Sequence, residues 1–485
     1  MMMRNLIITI CLPLSLFAQK KKPAVDLFAK SKAAASSDIQ LKYDHYKEIA
    51  LKIWDYAEVG YKEEKSTAIL QKELKDNGFD VQAGVAGIPT SFVATYGSGS
   101  PVIGILAEYD ALPGINQEAV PERKEAAGKK AGQACGHHLF GTGSVAAGIA
   151  IKNQMLANGW KGTIKVFGCP AEEGGSGKVY MTRDGIFNGV DVMLHWHPDD
   201  LNAVFLNGAL ANKSAKFRFY GLSSHAASAP ERGRSALDGV EAMDMMVNMM
   251  REHIPSDARI HYVITSGGKA PNVVPDFAEV YYYVRHPDKF QVVEIFDRVV
   301  KAAEGAALGT GTTMKYEIIG GTHDLLFVDT LNVAAQKELE LAGGVNLSPA
   351  ELEFGRKIQS SFNYKAPDIL ASSKINPLVV QTDPPGSTDV GDVSYNMPTV
   401  GLRIATWIPG TPAHSWQAVA CGGTEIGTKG MMVAAKALSN LGIELLHNPK
   451  LIEAAKKEFI QKKGDYEYKA LLGDRAPALN YRDGL

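Results

Sequence analysis

PVIGILAEYDALPG, residues Pro101 to Gly114, is a continuous apolar run that ends in two acids and a Pro-Gly turn. A strand apolar on both faces is expected where helices cover both faces of a sheet, as in parallel α/β architectures. On its carboxyl side follow a Gly/Ala-rich helix from about Phe140 to Leu156, the strand TIKVFG (Thr163 to Gly168), a short helix near Gly177 to Arg183 and the strand VDVMLHW (Val190 to Trp196). On its amino side, apolar residues at helical spacing (Ile49, Ile53, Trp54, then Ile69, Leu70, Leu74) give two helices, and SFVATY (Ser91 to Tyr96) gives a short strand. Strands alternating with helices predict an α/β domain with a mostly parallel, helix-covered sheet.

From about Leu210 the order changes to strand Lys213 to Tyr220, helix Ser235 to His253, strands Arg259 to Thr265 and Asp276 to Arg285, helix Lys289 to Leu308 and strand Thr312 to Ile319. This is a βαββαβ unit large enough to stand alone. After His323 the first pattern resumes, with a helix near Thr330, apolar strands Pro377 to Gln381 and Thr399 to Ile404, and a closing helix Gly427 to Leu441. The expected organisation is one α/β domain, 20–209 and 326–485, interrupted by an inserted domain at 210–325.

Composition excludes several function classes. With 51 Lys plus Arg against 53 Asp plus Glu, the chain has no field to gather nucleic acid. Residues 1 to 19 carry Arg4, an apolar run from Leu6 to Phe17 and the small Ala18, and three lysines follow. This pattern is too short to span a bilayer and predicts an export signal without a membrane anchor. Cys135, Cys169 and Cys421 remain after its removal, an odd and sparse set that does not describe a disulfide framework.

The chemistry-bearing residues lie in loops after predicted strands, where open α/β sheets place ligands. Cys135-Gly136-His137 sets a thiol and an imidazole two residues apart around a glycine, so a tight turn can aim both at one ion. Glu172-Glu173 offers one carboxylate to coordinate and one to move a proton. Of His195 and His197 we expect one, His197 beside Pro198, to join the site, while His195 packs in the sheet. His414 lies in the Gly/Pro loop GTPAHSWQ. Cys135, His137, Glu173, His197 and His414 together supply enough ligands of mixed softness for two ions, with Glu172 left as base.

At these residues the sequence resembles the dinuclear-metal peptidase and amidohydrolase family of glutamate carboxypeptidase, aminoacylases and auxin-conjugate hydrolases, and within it the branch of the B subunit of p-aminobenzoyl-glutamate hydrolase. The resemblance runs from about Tyr43 to Leu446. It implies a metallopeptidase-type catalytic domain interrupted by a lid and dimerisation domain, binding two divalent ions, zinc or manganese. Cys135, His137, Glu173, His197 and His414 take the ligand positions, and Asp110 of EYDALP supports them. Glu172 is then the general base that deprotonates a metal-bound water, and His225 of GLSSHAASAP is the lid histidine that reaches a partner subunit's site. Asn272 and Arg285 lie where the family binds the substrate carboxylate. GSTDVGDVSY (Gly386 to Tyr395) looks like a site-lining loop, and His138 stands where many relatives carry Asp or Asn. The implied reaction is hydrolysis of the amide bond of N-acyl amino acids such as p-aminobenzoyl-glutamate by a homodimer, or by an assembly with a related subunit. A dipeptidase or carboxypeptidase of the same mechanism, or a non-catalytic partner subunit, are the alternatives.

Overall fold

The computed structural model describes residues 28–206, 208–379 and 386–484; the expected export signal lies outside them. The strands of these residues, in chain order, are β1 (Asp80–Ala83), β2 (Phe92–Ser98), β3 (Val102–Ala107), β4 (Leu112–Pro113), β5 (Ala131–Gly132), β6 (Gly162–Gly168), β7 (Val192–Asp199), β8 (Ala203–Val204), β9 (Ala211–Tyr220), β10 (Arg259–Ser266), β11 (Phe277–His286), β12 (Thr313–Thr322) and β13 (Thr399–Ala405). β4 and β5 form a small ribbon, and the rest divide between two sheets.

The larger sheet runs β1-β2-β6-β3-β7-β13-β8. Its centre, β6-β3-β7-β13, is parallel, and these strands are buried on both faces as their apolar sequences require. Antiparallel β1 and β2 close one edge and the short β8 the other, so the sheet is mixed around a parallel core. Helix His137–Asn158 is buried without interruption from His137 to Lys152, and helix Glu425–His447 packs against it and against β7 and β13. No helix of the described residues is long and apolar enough to cross a membrane.

One expected strand is absent: Pro377 to Val379 are irregular, and the remaining two residues of the expected run lie outside the described residues. Pro377 has no N–H to give a ladder, and the position beside β13 is taken by β8.

Register explains where the site lies. Ala107 pairs with Gly168, and Ala405 with Asp199, so the carboxyl ends of β3, β6, β7 and β13 emerge along one edge. From β3 the chain crosses to β6 on one side, then from β6 to β7 on the other, which opens a crevice at the carboxyl end of β3.

Residues 211 to 322 fold as the βαββαβ unit, a sheet of order β10-β11-β9-β12 covered by helices Ala236–Met250 and Lys289–Thr310. Ser235 and Asp288 cap these helices by accepting from the backbone N–H of Asp238 and Phe290. The unit has its own core, including Phe217, Phe219, Met243, Tyr282 and Phe296. Its edge strand β10 leaves Val263 55% exposed and Ile264 41% exposed. Beyond helix Pro449–Lys463 the chain runs without helix or strand back to this unit, where Arg475 donates to the carbonyl of Ile318 at 2.7 Å.

Candidate metal centre

Gly136 holds a left-handed φ of 77°, and a Cβ there would lie 2.7 Å from the Pro198 Cβ. Only glycine fits on both counts, and the turn it makes leaves the buried Cys135 and His137, the first residue of the long helix, aimed at one region. Cys135 Sγ is 3.4 Å from His197 Nε2. His197 Nδ1 donates to the carbonyl of Pro198 at 2.7 Å, which leaves Nε2 free to coordinate. His137 Nδ1 meets Asp110 Oδ1 at 2.9 Å, and the other Asp110 oxygen accepts from the Glu173 backbone N–H at 2.9 Å. Asp110 thus orients one imidazole and fixes the loop carrying the Glu172-Glu173 pair. Glu173 Oε1 lies 3.1 Å from Nε2 of His414, whose own backbone N–H donates to the carbonyl of Ala134 at 3.0 Å.

Three groups of donors converge, each with its atoms within 4.8 Å of one another: Cys135, His137 and His197; Cys135, Glu173 and His414; and Glu108, His137 and Glu172. The first two contain all five expected ligands and share the Cys135 sulfur. The third places Glu172 beside Glu108, a residue that no sequence motif singles out.

The electrostatics follow from crowding of negative charge in a buried space. Burial raises the Cys135 thiol, but His137 and His197 outweigh it and bring it down to about 7. Burial likewise opposes ionisation of Glu173, yet His414 holds it at about 2. His414 is pushed up to about 11 by its hydrogen bonds to Cys135 and Glu173. Glu172 is raised well above the usual carboxylate range, first by burial and then by Glu108 and Glu173. Buried Glu108 Oε2 and His137 Nε2 lie 3.2 Å apart, and neither they nor Glu173 Oε1, beyond its His414 contact, has any other partner among the described residues. A thiolate, imidazoles and carboxylates with unfilled valences at this separation fit first-row divalent cations, zinc included.

Lys178 is the buried cation behind the cluster, with Nζ 2.6 Å from Glu108 Oε1 and 2.6 Å from Asp389 Oδ1. Asp389 also accepts from the Lys178 backbone N–H at 2.8 Å. This gives the Gly386 to Tyr395 loop a role the sequence left open: Asp389 fixes Lys178, which anchors Glu108. The signal in the sequence was a lone lysine opening an otherwise apolar helix, next to the Glu172-Glu173 loop.

Two histidines are accounted for as packing residues. His138 Nε2 meets the carbonyl of Gly422 at 3.0 Å, and burial lowers it to about 3. His195 is also lowered to about 3 by burial, and its ring sits 5.6 Å from that of Phe205. The expectation that only His197 would face the site needs correcting: residues two apart on a strand share a face, and both line the cavity, although His195 joins none of the donor groups.

A cavity of about 860 Å³ opens over the cluster and is lined by Cys135, Glu172, Glu173, His197 and His414 from the larger domain and by Arg285 from β11. His225 and Asn272 do not line it. His225 is exposed, its Nδ1 accepting from the backbone N–H groups of Ala227 and Ser228 at 3.2 Å each. Asn272 is its neighbour, accepting at its carbonyl from the Ala226 N–H at 3.1 Å. The two stand together on the surface of the inserted unit.

Known proteins resemble this chain in sequence and fold. Residues 208–310 match the peptidase dimerisation domain of the M20 family. Over 449 residues, 87% of this chain and 93% of the relative, the sequence is 38% identical to the B subunit of p-aminobenzoyl-glutamate hydrolase from Escherichia coli. The chain belongs to the M20 family of peptidases and amidohydrolases. Another family member, the Xaa-Arg dipeptidase of Mus musculus, is 29% identical over 84% of this chain and 87% of its own. The M20 fold is seen in an aminobenzoyl-glutamate utilization protein from Klebsiella pneumoniae (TM-score 0.59, 16% identity, 84% of this chain and 97% of that one). It is seen also in a dinuclear metal binding peptidase from Bacillus subtilis (TM-score 0.55, 17% identity, 83% and 99%). Like its M20 relatives, the chain is a hydrolase of amide bonds.

Proposed function

We propose that this M20 protein hydrolyses the amide bond of N-acyl amino acids, p-aminobenzoyl-glutamate among them, with two divalent cations. Cys135, His137 and His197 would hold one, and Cys135, Glu173 and His414 the other. The observation that carries this reading is the Cys135 sulfur standing in both donor groups, with Glu172 beside them and in neither. The cations, zinc or manganese, supply Lewis acidity that polarises the carbonyl and acidifies water. Glu172 takes a proton from the attacking water and returns it to the leaving amine nitrogen, a task suited to a carboxylate that stands beside the two proposed cation groups and belongs to neither. Asp110 keeps the His137 ring in place, and Arg285 receives the carboxylate of the amino-acid product through its planar guanidinium.

His225 and Asn272 act, in this reading, at the site of a second copy of the chain. Their exposure on the inserted unit and the match to a dimerisation domain support a homodimer, and the Escherichia coli relative, itself named as one subunit of a hydrolase, leaves room for a related partner chain. The protein works outside the cytoplasm, exported by residues 1 to 19. The test is product analysis by mass spectrometry with metal-loaded protein and a panel of N-acyl amino acids, p-aminobenzoyl-glutamate and dipeptides, using Glu172→Gln as the blank. Release of an amino acid by the wild type alone supports the reading. Cleavage of dipeptides only would make the protein a dipeptidase, and silence with two metals bound per chain would make it a non-catalytic binding protein.

A further inference from the structure

The segment after helix Pro449–Lys463 returns to the site and is tied down along its length. Arg183 donates to the carbonyl of Arg475 at 2.7 Å, and Leu472 is buried with Tyr61, Ala171 and Tyr180 under the loop that carries the two glutamates. At its far end two side chains hold the backbone of a metal-ligand residue: Tyr481 Oη donates to the carbonyl of Glu173 at 3.0 Å, and Arg482 Nη2 to the same oxygen at 2.8 Å. The Arg482 guanidinium lies over the Tyr481 ring, 4.7 Å from its centre, and lines the cavity.

Arg482 spends one nitrogen on this clamp, while its buried Nε has no hydrogen-bond partner among the described residues. Arg285, on the inserted unit, is in the same condition: its Nε is buried and unpartnered, and its one hydrogen bond, to Ser387 Oγ, is long at 3.4 Å. The acidic groups of the cavity are committed. Asp199 pairs with Arg403. Asp200 accepts from the Gly410 N–H at 2.7 Å, and burial beside Asp199 pushes it up to about 7. Asp389 and Glu108 share Lys178. Away from the proposed cation ligands, the unpartnered atoms of the cavity walls include Trp407 Nε1, Thr411 Oγ1 and the Nε of two arginines from separate parts of the chain, and the arginines are the charged donors among them. An N-acyl amino acid with a neutral side chain carries one carboxylate and satisfies one of them.

We propose that Arg482 determines specificity by binding a second carboxylate of the substrate, so that the cavity takes N-acyl derivatives of acidic amino acids in preference to neutral or basic ones. The proposal rests on the amidohydrolase reading for its substrate class, and the test separates the two.

The experiment uses the full, metal-loaded protein with N-benzoyl-glutamate and N-benzoyl-glutamine, measuring dissociation constants by calorimetry on the Glu172→Gln background and kcat and KM on the active one. Wild type is expected to favour the glutamate compound. Arg482→Gln is expected to weaken its binding and raise its KM about 10- to 100-fold, the loss of a charge-assisted pair. Any loosening of Glu173 falls on both compounds alike, so the reading is the glutamate-over-glutamine ratio of kcat/KM and of affinity, which is expected to fall about 10- to 100-fold in Arg482→Gln and to be partly recovered in Arg482→Lys. Equal losses on both compounds would reduce Arg482 to a clamp on Glu173 and overturn the proposal, as would an unchanged preference or no binding of either compound by the wild type. If the wild type binds the glutamate compound in an Arg482-dependent way but releases no benzoate, the anion site stands and the amidohydrolase reading falls.

Discussion

Gly136 sits between two of the proposed ligands, Cys135 and His137, with a positive φ and a proline wall against its α-carbon. Gly136→Ala should therefore cost about 2–4 kcal/mol, from left-handed strain and the clash with Pro198. It should also lower metal content per chain, read by denaturant unfolding and elemental analysis on the same preparation. Glu172 is a different kind of position, standing outside the two donor groups that share Cys135. Glu172→Gln should keep both metals and near-normal KM while kcat falls about 10²- to 10⁴-fold. A variant that loses metal in step with activity would show that Glu172 coordinates rather than moves protons. At this scale much was legible: a thiol, a glycine and an imidazole in a row carry their purpose in their spacing. The link among Glu108, Lys178 and Asp389 was not, because a buried ion network joins residues from three distant stretches, and nothing in the sequence pairs them although each lies in or beside a stretch that stood out.

Among the elements, helix Ala29–Leu41 is held to two others by Lys32, fully buried, with Nζ 2.8 Å from Glu338 and 2.9 Å from Glu444. Lys32→Ala would leave Glu338 buried without its partner, and we expect a loss of about 3–5 kcal/mol in urea unfolding. In the inserted unit, Tyr282 donates to Asp244, and burial raises that carboxyl to about 6. A carboxyl raised by folding binds more protons in the native state than in the unfolded one between its two pKa values, so it destabilises the fold as it ionises. Stability should fall as pH rises from about 4 to 6, and Asp244→Asn should flatten that slope. Element order was readable from periodicity through most of the chain, including the βαββαβ unit. The failures share a cause. Pro377 to Gln381 reads like a strand because apolar residues cluster there, yet which segment takes a sheet edge is decided by tertiary packing, and the same reason hid β1, β8 and the antiparallel pairing of β2, although β2 itself was read as a strand.

For the whole molecule, chelation should abolish turnover and lower the unfolding temperature, since ligand binding stabilises the native state by mass action. Zinc or manganese added back should restore both, and an unchanged unfolding temperature would count against a metal held by these five side chains. Assembly makes its own prediction. Val263→Arg, on the exposed edge of β10, should halve the mass in light scattering and cut activity, because His225 and Asn272 stand outside their own chain's cavity. A role for His225 and Asn272 in a second copy is implied only by the resemblance, since no periodicity says which side chains serve a partner. The proposed ligands come from β7, the start of the long helix and the turns after β5, β6 and β13, whereas the cavity walls also draw on the inserted unit, the Gly386 to Tyr395 loop and the segment around Arg482. Reactivity and appetite thus meet in the tail, which lines the cavity through Arg482 while gripping the Glu173 carbonyl, so a graft that retargets substrate range has to keep that grip.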